Sequence, residues 1–144
     1  MQTINEIQEE IIEDFLMVDD WIDRYTMLID YGKELPPFPA EQRTQQNLID
    51  GCQSQVWFTA HIQDGCVVYQ ADSDALLVKG IVALLLRVLS GQTPQDIVDA
   101  DLYFIDRIGL KEHLSPTRNN GLNAMLRQMK LYALALLNTS AKLG

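Results

Sequence analysis

The chain is poor in the side chains that many activities require. Its 144 residues include two cysteines and two histidines, too few for a disulfide framework or a four-thiolate zinc site. Neither cysteine belongs to a Cys-x-x-Cys pair, and the histidines, His61 and His113, show no metal-ligand spacing. No bound metal is therefore expected. Positive charge is also scarce: 11 Lys plus Arg against 20 Asp plus Glu leave a formal charge of −9. Nucleic acid and anionic membrane both call for a basic face, which this balance does not supply. The first residues are acidic and amphipathic, without a basic segment leading into an apolar one. The most apolar run, Ala75 to Leu89, is broken by Lys79, Gly80 and Arg87 and is shorter than the ~20 residues of a spanning helix. A cytoplasmic protein with reduced cysteines is the expectation.

What is present describes one α+β domain over residues 1–144. An apolar fraction of 47% and a charged fraction of 22% suit a globular core. Thr3-Ile4-Asn5-Glu6 has the form of a capping box, and Ile4, Ile7, Ile11, Phe15 and Val18 follow at helical spacing. Asp19 or Asp20 caps a second helix, with Ile22, Tyr25, Leu28 and Ile29 inward and Gly32 as its stop. The proline-rich Leu35 to Pro39 reads as an extended connection. Val56, Phe58, Ala60 and Ile62 alternate with Trp57, Thr59 and His61, Asp64-Gly65 makes a hairpin turn, and Val67, Tyr69 and Ala71 resume the alternation. With Gln63 opposite Cys66, Ile62 meets Val67 and Ala60 meets Tyr69, so one apolar face runs across both strands. Asp72-Ser73-Asp74 looks like a helix start before a buried helix over Ala75–Leu89, ended by Gly91. Lys79 and Arg87 on that helix are expected to snorkel from one face. Thr93-Pro94 and Ser115-Pro116 open two further helices, the last burying Leu122, Met125, Met129, Ala133 and Leu136 or Leu137.

Cys52 is the leading candidate for chemistry. It follows the turn dipeptide Asp50-Gly51 and precedes the polar run Gln53-Ser54-Gln55, so it belongs to a loop. Cys66 begins the second strand, where inert packing is expected. A nucleophilic thiol needs a positive charge or base beside it, yet the nearest in sequence are Arg43 and His61, and Asp50 opposes the anion. That context suits an acceptor activated by a partner. Arg118 is the second unusual residue, a cation in the first turn of the last helix, where the dipole favours an anion. Gly121 shortly after it costs about 1 kcal/mol in a helix. Either a functional site, or an Arg bridged to a carboxylate with a glycine for helix packing, explains the pair.

The run Asn47-Leu48-Ile49-Asp50-Gly51-Cys52-Gln53-Ser54-Gln55-Val56-Trp57 closely resembles the active-site segment of the SufE/CsdE family. The family's members accept sulfur from cysteine desulfurases in iron–sulfur cluster assembly. The resemblance extends through Asp72-Ser73-Asp74-Ala75 with Val78-Lys79-Gly80, Thr93-Pro94-Gln95-Asp96-Ile97-Val98, and His113 to Arg118 with Gly121-Leu122. It is weakest in the first residues and beyond about Met129. It implies that Cys52 is the persulfide acceptor, and makes Gly51, Gln53, Asp72, Asp74 and Arg118 candidates for partner docking or loop control. It also implies a three-stranded antiparallel sheet packed with helices, as in IscU-type scaffolds. The third strand would come from near Gln46–Ile49 or Leu102–Phe104. The scaffold's three cluster-ligating cysteines are missing, so cluster building is disfavoured. The implied partners are a SufS- or CsdA-like desulfurase, which carries the pyridoxal phosphate, and a SufBCD-type assembly complex; no cofactor of this chain is implied. Two other functions stay open: a rhodanese-like sulfurtransferase acting alone, and a module that activates the desulfurase allosterically.

Overall fold

The computed structural model describes residues 2–143. The chain opens with α1 (Ile4–Leu16) and α2 (Trp21–Lys33), then passes through an extended proline-rich connection and two single 3-10 turns. A hairpin of β1 (Val56–Gln63) and β2 (Cys66–Ser73) follows, then α3 (Leu76–Leu89), α4 (Pro94–Asp99), α5 (Phe104–Arg107) and the long α6 (Pro116–Leu143).

Local signals account for most boundaries. The Thr3 hydroxyl accepts from Glu6 N at 3.1 Å and the Glu6 carboxylate accepts from Thr3 N at 3.2 Å, the reciprocal capping box that fixes the start of α1. Ile4, Ile7, Ile11 and Phe15 are buried along it. Asp20 caps α2 by accepting from Ile22 N at 2.9 Å, and Thr93 caps α4 from Asp96 N at 3.2 Å. The hairpin has the expected register, with Gln63 opposite Cys66, Ile62 opposite Val67 and Ala60 opposite Tyr69. Asp64 and Gly65 take φ of 53° and 77° in the two-residue turn, the positive values that such a turn demands.

Helix α3 is the centre of the molecule, with ten of its residues buried. Helix α2 crosses it at backbone contact. A Cβ built on Gly80 would stand 2.0 Å from Leu28 O, and one on Gly32 would stand 2.9 Å from Gly80 N. Gly32 thus allows the close approach and is not the stop; α2 continues to Lys33. The hairpin lays Phe58, Val67, Tyr69 and Ala71 on the core, and the Tyr69 hydroxyl donates to Met129 O of α6 at 2.7 Å. Leu122, Met125, Met129 and Ala133 form the buried stripe of α6 as expected, whereas Leu136 and Leu137 near its end are only half-buried.

Several expectations need correction. The sheet has two strands among the described residues, not three. The segment before the Cys52 turn meets β1 through a single bridge, Leu48 to Trp57, because residues 45–47 coil into a 3-10 turn and the chain turns away again at Asp50-Gly51. Leu102 and Tyr103 form no ladder, and Phe104 begins α5. Asp72-Ser73-Asp74 is not a helix start: Asp72 and Ser73 finish β2, and Ala75 caps α3 without a side-chain bond. Ile22 is 71% exposed, since the first turn of α2 points Trp21 inward instead, stacked on His113 at 3.8 Å. Lys79 and Arg87 do not simply reach for water. Lys79 pairs with Asp72 at 3.3 Å, and Arg87 ties α3 to Glu10 at 3.2 Å, Asp14 at 3.8 Å and the Tyr31 hydroxyl at 3.0 Å.

Candidate functional site

The Cys52 loop is pinned at both ends by hydrogen bonds to the hairpin and the turn that follows it. On its entry side Ile49 N donates to Val56 O at 2.9 Å. On its exit side Gln55 is held three times: its N donates to Asp74 Oδ1 at 3.0 Å, and its O accepts from Ser73 Oγ at 2.9 Å and from Asp74 N at 3.3 Å. Among the described residues, residues 50–54 between these anchors make no backbone–backbone hydrogen bond. Gly51 has φ of 92°, a conformation that L side chains rarely adopt. A side chain there would also press on the Ala124 methyl at 3.3 Å.

This loop turns Cys52 back onto α6. The thiol is half-buried and donates to Gly121 O at 3.6 Å. Burial raises its pKa above the ordinary thiol value, and no neighbouring charge contributes to the shift. The resting side chain is therefore a neutral thiol, without the cation or base that would make it a nucleophile. Beside it lies a cavity of about 280 Å³, lined by Cys52, Gln53 and Ser54 from the loop, Val78 and Ile81 from α3, and the first turns of α6. Neither histidine lines it; His61 is exposed on β1, and His113 is stacked on Trp21.

Arg118 reaches this cavity from the start of α6. Its backbone N–H donates to the capping Ser115 hydroxyl at 3.2 Å. Its side chain is exposed and, among the described residues, has no carboxylate within salt-bridge distance. Gly121 does not serve a helix crossing either, since the three nearest atoms to a Cβ placed on it all belong to Cys52. Gly51, Gln53 and Arg118 thus gather around the thiol, with Gln53 exposed at the cavity rim. Asp74 holds the loop's exit.

Asp72 stands apart from the cavity. It is 8% exposed, opposite Trp57 in the hairpin, and its oxygens take Arg43 at 2.6 Å, Lys79 at 3.3 Å and Ser73 N at 2.8 Å. Burial alone would raise its pKa. The bonds from Arg43, Ser73 N and Lys79 outweigh burial and hold the carboxyl below its usual range. Arg43, considered from the sequence only as a distant neighbour of Cys52, also lies over the Phe38 and Trp57 rings at 5.8 Å each. Together these contacts dock the connection preceding the loop onto the hairpin and α3. Ser73 and Gln55 were equally silent in the sequence, because their partners are fixed only by strand pairing.

A family model described as "SufE: Fe-S metabolism associated domain" matches residues 9–133. The chain belongs to the SufE family. It is 42% identical over 127 residues to an uncharacterised SufE-like protein of Rhizobium meliloti, covering 85% of this chain and 91% of that one. A SufE-like protein of Synechocystis is 44% identical over 126 residues, covering 88% and 79%. A solution structure of a hypothetical protein from Thermus thermophilus superposes with a TM-score of 0.76 at 24% identity, over 92% of this chain and 96% of that one; that likeness shows a shared fold. SufE membership associates the chain with iron–sulfur metabolism. Among the described residues no helix is long and apolar enough to cross a membrane.

Proposed function

We propose that the protein is a sulfur carrier whose Cys52 takes the outer sulfur of a persulfide on a cysteine desulfurase, stimulates that enzyme, and passes the sulfur on for iron–sulfur cluster assembly. The Cys52 thiolate attacks the desulfurase's outer sulfur. A bond from Cys52 Sγ to that sulfur forms, the old sulfur–sulfur bond breaks, and the desulfurase cysteine leaves as a thiolate, so electrons balance without an external oxidant. A cytoplasmic partner and a SufBCD-type recipient complete the scheme.

The observation that carries this proposal is the masked state of Cys52 on a tethered loop. A thiol held neutral by burial is a poor nucleophile at rest, which suits an acceptor that reacts only when a partner draws it out. The same feature argues against a rhodanese-like enzyme working alone, because such an enzyme needs its thiolate before the substrate arrives. Gly51, Gln53 and Arg118 lie where a docking desulfurase must approach, and Asp74 governs release of the loop. Asp72 contributes by anchoring the scaffold through Arg43 and Lys79. Alanine release by the desulfurase is measured with intact protein, with Cys52→Ser and with Cys66→Ser. Stimulation lost only in Cys52→Ser supports the carrier; stimulation retained there overturns it in favour of an allosteric module.

A further inference from the structure

Gly121 is an expensive residue for its position. It lies inside α6, a helix of 28 residues, where glycine costs about 1 kcal/mol relative to alanine. Its φ is not among the positive ones. A Cβ there would sit 3.5 Å from Cys52 Sγ, 3.8 Å from its Cα and 3.9 Å from its Cβ, ordinary contact distances. Gly80 differs, because its Cβ would fall 2.0 Å from Leu28 O. The unloaded protein therefore has room for alanine at 121, and the reason for glycine belongs to another state.

We propose that Gly121 is a positioning residue for the loaded form, its bare surface beside Cys52 Sγ receiving the outer sulfur of the Cys52 persulfide. This rests on the carrier role proposed above. An outer sulfur lies about 2 Å beyond Sγ. It cannot simply replace the thiol proton, which is aimed at Gly121 O only 3.6 Å from Sγ. It has to turn aside, over the Gly121 Cα, into the space a Cβ would occupy and within the cavity that Cys52 and Gly121 both line. Held there, the sulfur is screened from solvent reductants between its two transfers.

The test compares Gly121→Ala with the parent, both in a Cys66→Ser background. Each is loaded with inorganic tetrasulfide, and loading is verified by intact mass. Two rates are read: alkylation of unloaded Cys52 by iodoacetamide, and release of thiocyanate when cyanide attacks the loaded protein. In the second, cyanide takes the outer sulfur and Cys52 is left as a thiolate. The expected signature has opposite signs. Alkylation of unloaded Gly121→Ala is unchanged or slower, while thiocyanate release is about fivefold faster or more, the scale of overpacking by one methyl. Thiocyanate release that is equal or slower overturns the proposal. So does a joint rise of both rates, which would mean a merely loosened loop. A parent that takes up no sulfur at Cys52 overturns the carrier role itself, an outcome distinct from normal loading with no effect of the alanine.

Discussion

Asp74→Ala should release the Cys52 loop without unfolding the protein. Made in a Cys66→Ser background, it deletes the carboxylate that accepts from Gln55 N at 3.0 Å and leaves the Ser73 Oγ bond to Gln55 O at 2.9 Å. A hydrogen bond to a charged group is worth roughly 1.5–3 kcal/mol, but Asp74 is exposed, so solvent screening brings the loss to about 1 kcal/mol. That converts to about a fivefold larger population of the open loop, at roughly 1.4 kcal/mol per factor of ten. Global unfolding contributes nothing comparable, because folded domains lie about 5–15 kcal/mol below their unfolded states. The assay is iodoacetamide alkylation of Cys52 at neutral pH, where rate follows the open population. A rise near fivefold, with at most a small fall in the urea midpoint, is expected. An unchanged rate would refute the claim that the Gln55 anchor controls the thiol.

Three further outcomes follow from other contacts. Gly80→Ala should lower stability by more than about 3 kcal/mol in urea melts, beyond the roughly 1–3 kcal/mol of ordinary overpacking, because its Cβ meets the Leu28 backbone at 2.0 Å; Gly32→Ala should cost clearly less. Asp72 has a lowered folded pKa, so its stabilisation is complete above the ordinary carboxylate pKa and fades as pH falls through the lower folded value. Asp72→Asn should therefore lose about 1.5–3 kcal/mol near neutrality, and the difference from the parent should shrink in acid melts; a constant difference would contradict it. Cys52 has a raised pKa, so the pH profile of its alkylation should have its midpoint above that of the unfolded chain in urea, with coincident midpoints counting against burial.

Local features of the fold were legible, and features that depend on distant partners were not. The capping box of α1, the caps of α2 and α4 and the hairpin register each rest on residues a few positions apart. A turn dipeptide and alternating strands were enough to fix them. The missing third strand shows where such signals end, since the sequence before Asp50 can pair but the turn that follows allows only the Leu48–Trp57 bridge. Asp72 and Asp74 lie two residues apart and look alike, yet one becomes a buried hub for Arg43 and Lys79 and the other an exposed latch on Gln55. Asp72 lies within β2 and Asp74 just beyond its end, and their partners are set by packing. Arg118 and Gly121 stood out because each breaks a helix preference, and Cys52 because it follows a turn dipeptide on a loop. Arg43 breaks none, and only the assembled fold brings it onto Phe38, Trp57 and Asp72.

In the proposed role, Cys52 receives sulfur from another protein's cysteine. Intact mass spectrometry of the Cys66→Ser protein, mixed with a cysteine desulfurase and free cysteine, tests it most directly. The expected result is a gain of one sulfur atom, mapped to the Cys52 peptide and removed by dithiothreitol. A parent that gains no mass while the desulfurase turns over, or a gain that persists in Cys52→Ser, would contradict it.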